Sequence, residues 1–168
     1  EYKSNHKQVI NGFVLEYYQT TNQSGPMHGV DFTVVEKTGG ADDYYNNEWY
    51  PGWVHWGMTM ANPLIASPIY NKDGDMSFKY NRIRALHLGW SGDISNEWTY
   101  LAKLSYNKTW GTPFKPIPNI LENFSTFASV FYTPHKWKGW RFNASIDFDI
   151  GEIYGDNLGS QLKVQKTF

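Results

Sequence analysis

Side chains that could bind or transform a ligand form two groups in this sequence, and the first is a dense set of rings with polar neighbours. It comprises Tyr44, Tyr45, Trp49, Tyr50, Trp53 and Trp56, with Asp42, Asp43, Asn46 and Asn47 beside them. Sugars present apolar C–H faces and a periphery of hydroxyls, so a sugar-binding surface needs exposed rings with carboxylates and amides nearby. Stacking on a sugar is therefore one prediction for this set. The alternative is that the segment folds inward, with Trp53 and Trp56 as a small core.

The second group consists of polar side chains at alternating positions of predicted strands. Its members are Glu16, His87, Lys103, Arg141, Asn143, Asp147 and Asp149. Asp147 and Asp149 share one face of one strand, but the paired carboxylates of glycosidases normally converge from separate elements. A surface lined by both signs of charge more often pairs its charges structurally than it forms a site. We therefore expect this group to line a polar interior with its charges paired structurally, and to contain no catalytic residue. The alternative is a transport pathway through that interior.

Motifs for other chemistry are weak. The five histidines lack the H-E-x-x-H spacing of a zinc site. The stretch NKDGD at 71–75 has its glycine two places too early for a calcium loop, so a tight turn is preferred. A formal charge of -1 without a basic block argues against a nucleic-acid partner. We expect no metal and no cofactor.

Alternation with a period of two predicts the strands that position both groups. It is cleanest over 140–150, and further strands are predicted near 9–18, 85–90, 98–109 and 124–133. The closing segment alternates up to Phe168. The sequence thus predicts an all-β fold of about six antiparallel strands.

The composition narrows the class of protein. Aromatic residues make up 18% of the chain, yet the mean hydropathy is only -0.57. No stretch approaches the roughly 18 consecutive apolar residues that a membrane helix needs, which excludes a helical membrane protein. A membrane barrel hides its apolar half in alternation, so a low average does not exclude it. The chain has no cysteine, which rules out disulfides and thiolate chemistry.

The predicted connections alternate in length. Counted from the end, they are 151–158 (long), 134–138 (short), 111–121 (long), 91–96 (short) and 20–77 (very long). Transmembrane barrels have tight turns at the periplasmic rim and extended loops outside. The alternation therefore favours a transmembrane barrel, with 20–77 as one long external loop.

Tryptophans near predicted strand ends favour the same interpretation. Trp137 and Trp140 flank one short turn, and Trp90 and Trp98 bracket another. Membrane barrels carry aromatic girdles at both interfaces, where Lys166 would also place its ammonium. The alternative is that these rings cover a soluble core. About six strands are too few to close a membrane barrel, for which about eight is the smallest usual number. We therefore expect further strands, either N-terminal strands of the same barrel or another chain.

Four stretches, taken in order, resemble the Wzi-like capsule assembly proteins of the Bacteroidota type. They are GFVLEYYQTTNQSGP, HGVDFTVVEKTGGADDYYNNEWYPGWVHWGMTMANPLIASPIYNKDGD, RIRALHLGWSGDI and the final LKVQKTF. The resemblance covers essentially all of 1–168 and corresponds to the C-terminal portion of that family's barrel. Because the sequence begins at Glu1, we expect a mature protein or a piece of a longer one.

The resemblance implies an antiparallel transmembrane β-barrel of about 18 strands in the outer membrane of a Gram-negative bacterium. It implies a non-enzymatic lectin that holds capsular or exopolysaccharide at the cell surface. The implied partners are that polysaccharide, outer-membrane lipid and the barrel insertion machinery. That machinery would recognise the terminal Phe168 as a targeting signal.

Two other functions remain open from the residues alone. One is an outer-membrane enzyme acting on lipid or polysaccharide, with His87, Asp147 or Asp149 as acid or base. The other is a soluble carbohydrate-binding β-sandwich that uses the same rings, because alternation by itself does not distinguish a lipid-facing from a core-facing strand.

Overall fold

The computed structural model describes residues 8–22, 53–60, 62–112 and 115–168. The strands are β1 (Gly12–Gln19), β2 (Val54–His55), β3 (Met58–Thr59), β4 (Ile83–Asp93), β5 (Trp98–Gly111), β6 (Pro116–Tyr132), β7 (Trp140–Gly151) and β8 (Asn157–Lys166). One turn of 3-10 helix covers Pro68–Tyr70. The chain is all-β, as predicted. No helix in the described part is long and apolar enough to cross a membrane.

Six of the strands form one sheet, in the order β1-β4-β5-β6-β7-β8, while β2 and β3 pair separately. The sheet is mostly antiparallel, which confirms the predicted arrangement of about six strands. Over the described residues it does not close into a barrel. The alternating sequence explains the strands, because each then has one apolar and one polar face.

The register of the last three strands assigns their residues to the two faces. Phe148 lies opposite Thr126 of β6 and Leu158 of β8, and Ala144 lies opposite Val130 and Leu162. On the other face, Ser145 lies opposite Ser129 and Gln161. One face is therefore largely apolar across three strands, and the other is largely polar.

Exposure on these two faces is the reverse of that in a soluble sheet. On the apolar face, Ile146 and Phe148 are each 41% exposed and Leu162 is 86% exposed. On the polar face, Asn123 is only 2% exposed and Ser129 only 3%. A soluble sandwich buries its apolar face and solvates its polar one. On β6 and β7 the sheet instead shelters its polar face and presents its apolar face, whereas β8 is largely exposed on both faces.

The predicted alternation of long and short connections is wrong. The connections of the main sheet after β4 are 94–97, 112–115, 133–139 and 152–156, so all four are short. The predicted long connections 111–121 and 151–158 shorten to 112–115 and 152–156. In the last of them, Gly155 adopts a φ of 85° and the Asp156 carboxylate accepts the amide of Gly151 at 3.1 Å. β4, β5, β6 and β7 are longer than predicted, whereas β1 is shorter and β8 ends at Lys166, before the predicted end at Phe168.

Two prolines explain part of this error. Pro116 and Pro118 lie in β6, although proline has no amide to donate to a sheet and therefore indicates a loop. β7 pairs with β6 only from Asn123 onwards, so these prolines lie where the β7 ladder has ended. Proline is tolerated where a strand has no partner on one side, because no hydrogen bond of the ladder is lost there.

The described residues fall into two compact units. They lie within Glu1–Glu16, Leu86–Tyr106 and Asn123–Phe168 for the first unit, and within Tyr17–Ala85 and Asn107–Glu122 for the second. The first unit contains the face-reversed part of β6, β7 and β8. The second unit contains the apolar core cluster Ile65, Phe78 and Ile83, against which Val54 and Leu64 pack.

The second unit shows what the described part of the predicted 20–77 loop does. Its Leu64 carbonyl accepts a 2.9 Å hydrogen bond from Nδ2 of Asn107 on β5, and Ile65 packs with Ile83 of β4. The described part of the loop is therefore packed on the sheet. The predicted alternative core is wrong, because Trp56 is 85% exposed and Trp53 is 45% exposed.

Candidate functional site

The seven polar residues predicted to share a face do share one. Alternation along β7 places Arg141, Asn143, Asp147 and Asp149 together, and Asp147 lies opposite Phe127 of β6. The ammonium of Lys103 lies over that Phe127 ring, 5.8 Å from its centre. β5 therefore contributes Lys103 to the same face.

His87 and Glu16 complete the set. Nδ1 of His87 shares a 2.6 Å hydrogen bond with Oγ of Ser105, two residues beyond Lys103 on β5. A Cβ built on Gly89 would lie 3.9 Å from Cβ of Val14, which places these two positions on one face. His87 and Glu16 each lie two residues from this pair, so they face the same side.

The charges of this set were predicted to pair with one another, and this pairing is not found among the described residues. No ion pair links any two of the seven within the described sheet. The carboxylate of Asp149 instead accepts a hydrogen bond from Ser125, whose Oγ in turn accepts one from Nδ2 of Asn123 at 3.1 Å. Neutral hydroxyl and amide groups therefore satisfy much of this face, which fits a structural lining.

Neither Asp147 nor Asp149 lies directly opposite another carboxylate on a neighbouring strand. Asp147 lies opposite Phe127 and Gly159, whereas Asp149 lies opposite Ser125 and Asn157. Among the described residues, no three His, Asp or Glu side chains are grouped so that they could hold a metal ion.

The predicted sugar-binding set is only partly described. Asp42, Asp43, Tyr44, Tyr45, Trp49 and Tyr50 lie outside the described residues, as do Asn46 and Asn47. Trp53 lies just before β2, and Trp56 lies at the tip of the β2–β3 hairpin. The register of that hairpin pairs Val54 with Thr59 and His55 with Met58.

Trp56 occupies an unusual backbone conformation for its residue type. Its φ is 50° and that of Gly57 is 76°, so both residues of the two-residue hairpin loop are left-handed. Such turns favour Asn, Asp or Gly at the first position, because a side chain with a Cβ is strained there. Here a tryptophan takes that position, and its only described ring neighbour is His55, edge-on at 6.2 Å. The hairpin holds an exposed indole at the cost of local strain, which is typical of a functional position.

The predicted tight turn at 71–75 is confirmed and carries polar groups that sequence reasoning missed. The Gly74 amide donates to the Asn71 carbonyl at 3.0 Å, and Gly74 has a φ of 75°. Asp73 forms an ion pair with Lys79, and Asp75 accepts hydrogen bonds from the amide (3.0 Å) and the hydroxyl (2.7 Å) of Ser77. The turn therefore presents oriented charges of both signs.

These contacts set the protonation of the turn. The hydrogen bond from Lys79, more than any other contact, lowers the pKa of Asp73. The hydroxyl of Ser77 has the same principal role in lowering the pKa of Asp75. The hydrogen bond to Asp73 raises the pKa of Lys79. Both carboxyls and the amine are therefore charged at neutral pH.

An aromatic cluster lies at one end of the apolar face in the first unit. Trp98 stacks on Tyr132 at 4.5 Å, and Phe142 contacts Tyr132, Trp137 and Trp140 at 5.8 to 6.1 Å. The Lys166 ammonium lies 5.3 Å from the centre of the Trp140 ring and 5.9 Å from that of the fully exposed Phe168. Three of the four strand-end tryptophans of the sequence prediction thus belong to one cluster.

Comparison of the chain with family models, with curated proteins and with solved structures gives no match.

Proposed function

We propose that this chain is the C-terminal part of an outer-membrane β-barrel of the Wzi-like type, which holds capsular or exopolysaccharide at the surface of a Gram-negative cell without catalysing a reaction. The observation that carries the proposal is the reversed exposure of the sheet. Phe148 and Leu162 are presented outward, whereas Asn123 and Ser129 are sheltered. A transmembrane barrel needs this arrangement, because lipid surrounds one face and a polar interior lies against the other.

The strand lengths support the same proposal. β7 has 12 residues and β8 has 10. A strand that crosses a bilayer at a tilt of about 45° needs about 9–11 residues. Both strands are therefore long enough to span the hydrocarbon, with their ends at the interfaces.

The aromatic cluster supplies a second line of support. Trp98, Trp137 and Trp140 are each exposed at strand ends, and Lys166 lies against Trp140. Indole rings with a polar edge and an apolar body are favoured at a membrane interface, and a nearby lysine can direct its ammonium to the headgroups. In this proposal the cluster forms part of the periplasmic girdle, and Phe168 is the targeting residue for the insertion machinery.

A barrel of this kind needs more strands than this sheet has. Six strands fall below the usual minimum of about eight, and open edges are not tolerated in hydrocarbon. We therefore propose that N-terminal strands of the same protein, or strands of another chain, complete the wall between β8 and β1.

Polysaccharide binding is supported by Trp56. An indole that is 85% exposed and held in a strained hairpin loop offers a flat surface for the C–H face of a sugar. It lies in the loop whose other rings were predicted to bind sugar from the sequence.

The membrane part of the proposal is tested by two substitutions at neighbouring positions of β8. Leu162→Lys places a charge on the apolar face, and Gln161→Lys places the same charge on the polar face. In a barrel, Leu162→Lys should cost about 2–4 kcal/mol and sharply reduce the outer-membrane fraction, while Gln161→Lys has little effect. Equal tolerance of both changes, together with solubility without detergent, would favour the soluble sandwich.

The lectin part is tested with the purified full gene product in lipid vesicles. The probe is the surface polysaccharide shed by cells that carry the gene, and retention on the vesicles is measured against empty vesicles. Retention supports the proposal. Absence of retention by correctly inserted protein contradicts it.

One observation favours a second candidate, an outer-membrane enzyme. Nδ1 of His87 lies 2.6 Å from Oγ of Ser105, which is the spacing of a base and the hydroxyl it activates. This candidate requires turnover of an envelope lipid or glycan that Ser105→Ala abolishes without reducing insertion. If wild type and Ser105→Ala behave alike on both substrate classes, the His87–Ser105 contact is structural.

A further inference from the structure

A cavity in the second unit has no role in the function described so far. Its volume is about 420 Å³, and it lies between the 71–80 segment and the connection from β5 to β6. Sites for small ligands commonly measure about 300–1,000 Å³. The cavity is therefore large enough to receive a sugar unit.

The first wall of the cavity offers hydrogen-bonding groups in fixed positions. Asp75 is held by Ser77, and Asp73 accepts the Asp75 amide at 3.2 Å while pairing with Lys79. A carboxylate has about four acceptor sites and an ammonium has three donors. These groups therefore retain capacity for the hydroxyls of a ligand, and their orientation is set before a ligand binds.

The rest of the lining comes from a different part of the chain. The Thr112 hydroxyl accepts the Lys115 amide at 3.0 Å, which fixes the connection between β5 and β6. Thr112 and Lys115 both line the cavity, as does Ile117 at the start of β6. Lys115 supplies a second ammonium to the lining.

An apolar surface completes the enclosure. Phe78 is 4% exposed and belongs to the core cluster, and Tyr80 contributes a half-buried ring. Rings and aliphatic groups beside fixed donors and acceptors match the amphipathic surface of a sugar. A purely hydrophobic ligand would leave the remaining donor and acceptor sites of these charged groups unused.

The charges of the lining residues select among saccharides. Asp73 and Asp75 contribute two negative charges, and Lys79 and Lys115 contribute two positive charges, so their sum is zero. A cavity with balanced charge has no net attraction for a polyanion. It favours a sugar unit that is rich in hydroxyls and carries no net charge.

We propose that this cavity is a binding subsite for one uncharged saccharide unit of the surface polysaccharide, with Asp75 and Lys115 among its polar contacts. The inference rests on the proposed lectin function and adds a second contact region to it, distinct from Trp56.

The test uses the full gene product in vesicles and the shed surface polysaccharide, separated by anion exchange into neutral and acidic fractions. The neutral fraction should bind, and raising the salt from about 50 to 500 mM should change its affinity less than twofold. Asp75→Asn and Lys115→Met should each weaken binding tenfold or more. The matched control is Lys72→Met, an exposed position of the same turn that does not line the cavity.

A second measurement avoids any change of sequence. Acetylation of lysines in the wild-type protein, with and without the neutral fraction, should show protection of Lys115 but not of Lys72. Binding that is unaffected by both cavity variants, without protection of Lys115, would overturn the subsite and leave the lectin function standing. Selective binding of the acidic fraction would overturn the choice of an uncharged unit. Failure of the wild type to bind either fraction would contradict the lectin function itself.

Discussion

The ammonium of Lys166 on β8 lies over the ring of its cross-strand partner Trp140 on β7, 5.3 Å from the ring centre. It also donates a 2.6 Å hydrogen bond to the Lys138 carbonyl in the preceding turn. This one side chain therefore ties the last strand to the turn that opens β7.

Replacing Lys166 tests the value of that contact. Lys166→Met should lower the free energy of unfolding by about 1–2 kcal/mol, because an exposed cation–π contact and a charged hydrogen bond are both lost. Urea unfolding of vesicle-inserted protein measures the effect. Lys163→Met, on the other face of β8, is the control and should change stability by less than about 0.5 kcal/mol. Equal effects of the two substitutions would assign no stability to the Lys166 contacts.

Trp56 should show a conflict between stability and binding. Trp56→Asn places a residue that tolerates a left-handed conformation at φ 50°, so we expect the unfolding free energy to rise by about 1 kcal/mol. Binding of the surface polysaccharide should fall, because the indole is lost. Trp56→Ala should lose binding without the gain in stability. If Trp56→Asn bound polysaccharide as well as the wild type, the ring would not be a contact.

The ion pair of the 71–80 segment should persist over a wide range of pH. Asp73 has a pKa below its ordinary value of 3.8, so its contribution to stability is complete above 3.8 and is lost as the pH falls through the lowered pKa. Lys79 has a pKa above its ordinary 10.5, so its contribution is complete below 10.5 and is lost as the pH rises through the raised pKa. Carboxyl carbon shifts in an NMR titration measure the Asp73 pKa.

The matched variant for that titration is Lys79→Met. It should return the pKa of Asp73 towards 3.8, because its largest cause has been removed. A titration curve that Lys79→Met leaves unchanged would assign the lowered pKa to the backbone of the turn instead.

The hydroxyl of Ser125 should contribute more to the free energy of unfolding than an ordinary surface hydroxyl. Ser125→Ala removes the donor to Asp149 and the acceptor for Asn123, which is 2% exposed. A polar group left without a partner in a sheltered place costs about 1–3 kcal/mol, and unfolding by urea should show that loss. Ser160→Ala, on the exposed strand β8, should cost less than about 0.5 kcal/mol. A loss as small as that of the control would mean that water replaces Ser125.

Two glycines with nearly the same φ separate backbone strain from steric overlap. Gly74 (φ 75°) has open space around a built Cβ, whereas a Cβ on Gly111 (φ 79°) would lie 2.6 Å from the Lys115 carbonyl. Gly74→Ala should cost about 1–2 kcal/mol of stability through strain alone. Gly111→Ala should cost more, because the β5–β6 turn must also move. Equal losses of stability in thermal unfolding would show that the β5–β6 turn accommodates the added methyl group with no loss of stability.

The sequence predicted the faces of the sheet well and its turns poorly. The faces on which Asp147 and Lys103 lie follow from the alternation within β7 and within β5. Each face can therefore be assigned from the sequence of a single strand. Turn lengths depend on how far the neighbouring strand continues. The predicted connection 111–121 contains Pro116 and Pro118, which do not indicate a strand, yet both lie in β6. Whether such a stretch is a strand or a connection depends on the register with β7, and no local sequence pattern contains that register.

The candidate sites show the same limit. The turn at 71–75 was predicted from Gly74. Thr112 and Lys115, which line the same cavity, are distant in sequence, so no local pattern could predict the cavity. Trp56 was predicted as a ring candidate, yet its left-handed backbone arises from the pairing of His55 with Met58. The Ser125–Asp149 contact likewise depends on the register of two strands.

The β7 ladder begins at Asn123 of β6, so among the described residues β7 does not continue alongside 116–121. A bare strand flank normally invites strands of other molecules to add to it, which is how misassembly and aggregation begin. Pro116 and Pro118 present no amide there, so an incoming strand finds gaps in the ladder it would have to build. The prolines therefore protect from self-association the stretch of β6 that extends beyond its pairing with β7.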